Sequence, residues 1–559
     1  MTNPLKSQVA RAESPSRSSE FFAVHFHPHR PVAGRVRSAG KKPLRVMKFG
    51  GTSVGDASCV ERVVGIIRTA SRDSGIVVVV SAMSGVTNQL VAAASHAEAG
   101  DHGAVATIFR ELRRQHQTAA RALIHSDAER TRIEDKMEEL FQAGDRLCQG
   151  TILLGELTPR TRDSISSLGE RLSVSLVGAA LAERGVASVA IEATELVVTD
   201  ACHGAADPCM EQTRERCEAR LGPQLRQGVV PVVTGFIGAT ADGVLTTLGR
   251  GGSDYSATIL GAALEADEVI IWTDVDGLQT ADPRLVPGAS TIPEISYREA
   301  SELAYFGAKV LHPKTLRPVM QCGIPLWIRN TFAPERPGTK ITPAGPPRVA
   351  GVKALSALND VVMITVGGPG LAGVPDIVGR AFRATASVRA DVLLTAQASS
   401  QNDLCLVIPS ALGKVTVEAL RHEFAHELAH EPTEQIELDA TVAMVTIVGQ
   451  NMKSIPGIAG RSFQALGREN VNIIAIAQGS SDCAISLVVA RKDTPAALVS
   501  IHQEFQLGSG LQANSGDGIV PDETSPKHQR GADPNRADEE RIKPSLFIDS
   551  AYSNVQTNQ

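Results

Sequence analysis

Residues 46–56 read VMKFGGTSVGD: an apolar, strand-like run that ends in a lysine, then a glycine pair, then a helix-like segment. These are the parts of a phosphate site in an unfamiliar order. A P-loop sets its glycines first and its lysine at the helix start, as G-x-x-x-x-G-K-[ST], whereas here Lys48 precedes Gly50 and Gly51. The alternation continues through SCVERVVGIIRTA, GIVVVVSAM, a long helical region from about residue 88 to about 150, SVAIEA, GVVPVVTGFIG, ATILGAALEA and EVIIWTDV. Strands that are apolar throughout and alternate with helices predict a mainly parallel sheet covered on both faces. Such a sheet binds ligands beyond the carboxyl ends of its strands, where the glycine-bearing joints fall.

The 559 residues are enough for about three or four domains at ~100 to 200 residues each. Hydrophobic residues at 43%, charged residues at 21% and a net charge of -6 lack the basic excess of a nucleic-acid-binding protein. No apolar run approaches the ~18 residues of a membrane span, and Ile76–Val80 reads instead as a buried strand. Neither nucleic acid nor membrane is an expected partner. Eight cysteines without a C-x-x-C fit reduced thiols of a cytoplasmic protein, and the spacing of Cys202, Cys209 and Cys217 matches no familiar zinc pattern. Residues 1–43, rich in Ser, Arg, His and Pro, read as a disordered extension; a plastid transit peptide is the alternative for them. Residues 511–559 are polar, punctuated by Gly and Pro, and read as a disordered tail.

Beyond about residue 350 the chain repeats itself. The segment from Val361 aligns without gaps on that from Val442, a shift of 442 − 361 = 81 positions, pairing Thr365 with Thr446, Pro375 with Pro456, Gly379-Arg380 with Gly460-Arg461, and Gln397 with Gln478. Each copy reads strand, glycine turn, helix, strand, polar turn, strand. Two such units can pack as a pair with related sites at their interface.

Five further stretches carry chemistry. SAMSGVTN, Ser81 to Asn88, repeats the logic of strand, small residues and helix. SSLGERLS, Ser166 to Ser173, puts Glu170 at a helix start, where a carboxylate can serve the helix dipole or receive an ammonium group. TTLGRGGSDYSA, Thr246 to Ala257, sets Arg250 among glycines ahead of Asp254 and a helix; a guanidinium can grip a carboxylate while the N–H groups behind it hold phosphate oxygens. WTDVDGLQTADPR, Trp272 to Arg284, closes a strand with a polar turn suited to a nucleotide, and FGAKVLHPKT, Phe306 to Thr315, offers Lys309.

In this order KFGGTS, SAMSGVTN, LGERLS, GRGGSDYSA, WTDVDG, DPR and FGAKVLHP resemble the amino-acid kinase family, and within it the aspartate kinases, over about residues 44 to 508. The resemblance implies an α/β amino-acid kinase fold at 44–345, its mainly parallel sheet set between helices. Two βαββαβ ACT-type α+β domains would follow at 346–510. It implies transfer of the ATP γ-phosphate to the β-carboxylate of L-aspartate, with Mg²⁺. Lys48, Phe49, Gly50, Gly51, Thr273, Asp274, Arg284, Lys309 and Val310 would lie on the nucleotide side. Thr87, Glu170 and Arg250 would hold aspartate, and Lys48, Arg250 and Asp254 would serve catalysis. Gln397 and Gln478 become candidate ligands of an amino-acid effector, threonine first and lysine as the alternative, and pairing of ACT units implies a homodimer. Gln279 departs from the tyrosine often found at that position in the family.

Two features point elsewhere. His422-Glu423-Phe424-Ala425-His426 is a formal H-E-x-x-H, but Leu420, Phe424 and Leu428 share a core spacing that predicts an amphipathic helix of the first repeat. The short tail lacks G-x-G-x-x-G, so the chain reads as a monofunctional kinase without an appended dehydrogenase domain. A kinase for another carboxylate amino acid, or an inactive kinase fold that senses amino acids, are the competing readings.

Overall fold

The computed structural model describes residues 42–307, 311–346, 351–367, 376–397, 403–430, 435–479 and 482–508. Both terminal extensions expected to be disordered lie outside these residues, apart from Lys42 and Pro43.

The first part of the chain runs β1 Leu44–Phe49, α1 Ala57–Ala70, β2 Gly75–Val80, α2 Val86–Glu98, α3 His102–Leu123, α4 Asp127–Leu154, α5 Pro159–Ser166 and α6 Leu168–Glu183. It continues through β3 Ser188–Ile191, β4 Val198–Thr199, α7 Met210–Arg226, β5 Val230–Thr234, β6 Ile237–Thr240, β7 Leu245–Thr247, α8 Gly252–Ala263 and β8 Glu268–Thr273. Then come β9 Glu294–Ser296, α9 Tyr297–Tyr305, α10 Pro313–Cys322, β10 Leu326–Asn330 and β11 Thr339–Thr342. Eight strands form one sheet in the order β3-β5-β2-β1-β8-β10-β11-β9. All neighbours from β3 to β10 are parallel, and only the β10–β11 pair is antiparallel.

The valine run of β2 shows why these strands are apolar throughout. Ile76, Val78 and Val80 face a core shared with α1, α2, α3, α4 and α6, while Val77 and Val79 face one shared with α8, α9 and α10. Helices cover both faces, so Ile76 to Val80 are all buried. The long helical region expected between about 88 and 150 is three helices, and side chains mark the breaks. Asp101 accepts the Ala104 N–H at the start of α3, and Ser126 accepts the Glu129 N–H at the start of α4. Each such cap stabilises its helix by about 1 kcal/mol.

The second part contains β12 Gly351–Leu358, β13 Val361–Gly367, α11 Ile377–Ser387, β14 Leu394–Gln397, β15 Asp403–Pro409, α12 Gly413–Glu423, α13 Ala425–His430 and β16 Gln435–Asp439. After them come β17 Val442–Gln450, α14 Ile458–Arg468, β18 Ile473–Ala477, β19 Ala484–Ala490 and α15 Thr494–Glu504. The two four-stranded sheets run β14-β15-β13-β16 and β12-β17-β19-β18. The repeat is visible in three dimensions: Arg380 pairs with Glu423 and Glu427 and lies 4.5 Å from the Phe424 ring centre, and Arg461 pairs with Glu504 and lies 4.5 Å from that of Phe505. The formal metalloprotease motif is thereby explained. Its glutamate holds Arg380, the helix breaks at Phe424 between the two histidines, and no metal-ligand cluster occurs among the described residues. Connectivity adds one feature. The fourth strand of the second module is β12, which precedes the first module, so the first module is inserted into the second.

β12 also joins the two parts of the chain. Lys353 on β12 and Glu299 on α9 form an ion pair at 2.9 Å, with side chains 2% and 0% exposed. Glu299 simultaneously completes the capping box of α9 with Ser296. Breaking one side of a buried pair strands the other charge. Lys353→Met is expected to destabilise the fold by about 3 to 5 kcal/mol, and the double variant Lys353→Met/Glu299→Gln should recover much of that loss; chemical denaturation of the three proteins measures both.

Candidate active site at the carboxyl edge of the sheet

Because the central strands are parallel, the turns after β1, β2, β5 and β8 emerge on one edge. They touch closely. The Gly50 N–H donates to the Trp272 carbonyl at 3.1 Å, and Ser53 Oγ lies 2.7 Å from Thr331 Oγ1 beyond β10. Gly169, at the start of α6, packs on the turn after β2: a Cβ there would come within 2.6 Å of the Ala82 Cβ, so no larger residue fits without displacing that turn.

Lys48, near the end of β1, is 8% exposed, and its Nζ sits 2.5 Å from Asp254 Oδ1 in the first turn of α8. Both α2 and α8 begin on a glycine, Gly85 and Gly251, with positive φ and no side-chain cap. α6 and α7 also lack side-chain caps, but neither begins on a glycine, whereas α1, α3, α4, α5, α9 and α10 are capped. Uncapped helix N-termini beside a buried lysine form a setting suited to an anion.

Glu170 is 3% exposed. Burial pushes its carboxyl up to about 8, against the pull of the Ala82 N–H, its own N–H and the Lys48 charge. One carboxyl oxygen, Oε2, has no hydrogen-bond partner. An orphaned, buried acceptor facing a lysine-bearing edge is the feature a cationic donor from a ligand would satisfy.

The other expected residues distribute unevenly. Thr87 is half-buried in the first turn of α2. Arg250 is exposed between Gly249 and Gly251, both at positive φ; its charge, after burial and Lys314, helps hold His312 at the start of α10 below its usual range. Thr273 closes β8 and donates to the exposed Asp274 at 3.1 Å. The Phe49 ring is buried and stacked on Trp272, so this residue reaches the edge only through its backbone. Arg284 stands apart: it is exposed, pairs with Asp282 in its own turn, and its loop is anchored by Ala281 and Val286 in the core of the second module. Lys309 and Val310 lie outside the described residues. Gln397 and Gln478 occupy equivalent positions, exposed at the ends of β14 and just after β18. Gln279, whose departure from the family pattern was noted, donates to Thr291 Oγ1 at 3.0 Å.

Two organising residues left no pattern in the sequence. Thr331 partners Ser53 across the sheet edge, and Asp163, seven positions before Glu170, receives four hydrogen bonds. The three cysteines of the loose cluster differ in setting: Cys202 and Cys209 are exposed, whereas Cys217 is buried, its thiol pushed up to about 12.

The amino acid kinase family model matches residues 43–330, and an ACT domain model matches residues 364–424 and 445–505. Aspartokinase 2, chloroplastic, of Arabidopsis thaliana is 32% identical over 472 residues, covering 83% of this chain and 85% of that protein. The bifunctional aspartokinase/homoserine dehydrogenase of Haemophilus influenzae is 34% identical over 473 residues, covering 82% of this chain and 56% of that protein. This chain spans about half the length of the bifunctional relatives it matches. Escherichia coli aspartokinase III in complex with aspartate and ADP superposes with a TM-score of 0.71 at 29% identity, covering 83% of this chain and 100% of that one. The T-state of the same enzyme, with lysine and aspartate, gives 0.68 at 29% identity over 82% and 99%. Among the described residues, no helix is long and apolar enough to cross a membrane.

The raised carboxyl of Glu170 has a signed consequence for stability. Between about pH 4.5 and about 8 the folded protein keeps a proton there that the unfolded chain releases. The acid form therefore favours folding at low pH, and stability falls as pH rises through that window. Glu170→Gln should match wild type near pH 5 and exceed it near pH 8.5 by on the order of 4 kcal/mol; denaturant titrations at the two pH values test this.

Proposed function

The chain belongs to the amino acid kinase family, and on that premise we propose that it is an aspartate kinase, transferring the ATP γ-phosphate to the β-carboxylate of L-aspartate to give 4-phospho-L-aspartate. The observation that carries this reading is the unpartnered oxygen of buried Glu170 beside the Lys48–Asp254 pair. An amino-acid substrate brings an ammonium group, and that group would satisfy Glu170 and draw it into its charged form. Arg250, free of large neighbours between two glycines, would grip a substrate carboxylate, with Thr87 adding a hydroxyl. Lys48, with the Gly50–Gly51 turn and the uncapped start of α8, would take the phosphates. Thr273 and Asp274 at the end of β8 would face the nucleotide, with Arg284, Lys309 and Val310 assigned to the same side by resemblance alone.

The acceptor carboxylate, with an ordinary pKa near 4, is ionised at neutral pH and needs no general base. What the protein must overcome is repulsion between an anionic nucleophile and an anionic donor while holding the two in line. Lys48 supplies positive charge at that point. Asp254 fixes the lysine's direction and ties it to the helix whose first turn faces the donor. Mg²⁺ fits the carboxylates at hand, Asp254 and Asp274: this ion commonly takes only one or two protein carboxylates and completes its shell with phosphate oxygens and water. When bound it would neutralise phosphate charge.

The ACT modules, assigned to 346–510 after a catalytic part at 44–345, would bind an amino-acid effector. Gln397 and Gln478 lie at equivalent strand ends, and a side-chain amide both donates to and accepts from a bound amino acid. Threonine is the proposed inhibitor, lysine the alternative, and a homodimer through these modules the proposed assembly. A cytoplasmic location goes with this reading.

A coupled assay of ATP consumption with aspartate, with glutamate and with neither is the direct test; turnover that ignores aspartate would sink the proposal. Lys48→Ala should lower kcat/KM by roughly 10³-fold while leaving the fold intact by circular dichroism. Aspartate binding below pH 8 should release a proton from Glu170, seen as a buffer-dependent heat in titration calorimetry and absent in Glu170→Gln. Threonine and lysine, added singly, identify the effector.

A further inference from the structure

We infer that Asp163 is a positioning residue for the acceptor substrate, fixing the Arg250 loop relative to Glu170; the inference rests on the aspartate kinase reading above. Asp163 lies in α5, with its side chain 3% exposed. Oδ1 accepts from Thr247 Oγ1 at 2.7 Å. Oδ2 accepts from His203 Nδ1 at 2.8 Å, the Gly204 N–H at 3.1 Å and the Thr247 N–H at 3.2 Å. A carboxylate offers about four lone-pair sites. Four donors meet it, three of them on Oδ2, and they come from two segments far apart in the chain.

Both segments belong to the Arg250 loop's footing. Thr247 is the last residue of β7, three positions before Arg250, and its carbonyl is taken by the Ala206 N–H at 2.9 Å. Gly204 forms the floor beneath Gly249: a Cβ on Gly249 would come within 2.9 Å of the Gly204 carbonyl. One carboxylate thus clamps the strand that launches the loop and the backbone on which the loop lies. On its own side Asp163 is rigidly connected to the other substrate group. Its carbonyl accepts the Ser167 N–H at 3.0 Å where α5 passes into α6, and Glu170 follows in the first turn of α6. The path Glu170, Asp163, Thr247, Arg250 is continuous through backbone and buried hydrogen bonds. No phosphate-side residue is on it, so loosening it should affect aspartate and spare ATP.

An asparagine at this position keeps one acceptor oxygen and turns an NH₂ toward donors that need an acceptor. The test varies each substrate in turn for wild type, Asp163→Asn, Thr247→Val and Thr247→Ser, and follows aspartate binding without ATP by titration calorimetry. Asp163→Asn should raise the KM and Kd for aspartate by about tenfold or more, with the KM for ATP within about twofold. Thr247→Val, which keeps the volume and loses the hydroxyl, should move aspartate in the same direction by about threefold or more, and Thr247→Ser should restore it. Equal rises in both KM values, a loss confined to kcat, or a wild-type aspartate KM in Thr247→Val would overturn the inference. If Asp163→Asn fails to fold, the Thr247 pair decides alone. A wild type inert toward aspartate sinks the activity reading and this inference with it. An active wild type whose aspartate KM is unmoved in the variants sinks the inference only.

Discussion

A carboxyl group sealed under a sheet edge with one oxygen unsatisfied costs free energy, and the fold around Glu170 is arranged to hold it there regardless. Gly169 lets α6 press on the turn after β2, so that the Ala82 N–H reaches the carboxyl, and Lys48 stands near enough to lower its pKa against the larger effect of burial. Lys48 in turn is held by Asp254. The buried acid, protonated at neutral pH, sits beside a buried lysine whose charge is balanced by the second acid. Under the proposed function the set is completed by a ligand. A substrate ammonium would occupy the open side of Glu170, and phosphate would meet Lys48. Binding free energy of the substrate would then relieve a penalty that the empty site carries.

The same economy governs how the two parts of the chain meet. A surface contact between the first part of the chain and the paired modules would tolerate slack, yet two of the links are buried. Lys353 reaches from β12 into the capping box of α9, and Thr280 lies 2.9 Å from His502 Nε2 on α15. Around the second link Ala281 and Val286 enter the core of the second module. The loop between β8 and β9 therefore begins in the site and is anchored along its course on α15 of the second module. α9 likewise leads into the segment that carries Lys309. A shift of the second module has to move one of these, because neither buried contact can be stretched without exposing an unpaired polar group.

What was legible in the sequence follows from what is local. VMKF, GIVVVV and EVIIWT announced buried parallel strands because both faces are covered, and the glycine joints announced the carboxyl edge because only small residues admit such close turns. The 81-residue repeat survived into space as the matched Arg380 and Arg461 clamps. What escaped was set by partners distant in sequence. β12 lies outside the repeat, and nothing in GVKALSAL tells which module it completes. Thr331 and Asp163 sit in unremarkable surroundings, and their importance comes from hydrogen bonds to residues 278 and 84 positions away. The helical region after β2 reads as one stretch in the sequence; the caps at Asp101 and Ser126 divide it. Arg284, placed with the nucleotide by resemblance, pairs with Asp282 within its own turn.

The order of residues in VMKFGGTSVGD has a physical reading in this fold. In a P-loop the lysine extends from the first turn of a helix and reaches back over a glycine loop to the phosphates. Here Lys48 belongs to a central strand flanked on both sides by parallel neighbours, so its stem is buried and only its end faces the edge. A lysine so placed cannot follow a moving phosphate, but it needs no ordering on binding, since Asp254 already fixes it. Helix N-termini are supplied instead by α2 and α8, from other parts of the chain. Charge and N–H donors therefore come from separate elements whose spacing is set by strand register. That division suits an in-line transfer between two bound anions, because the lysine can stand between donor and acceptor while each anion has its own donors.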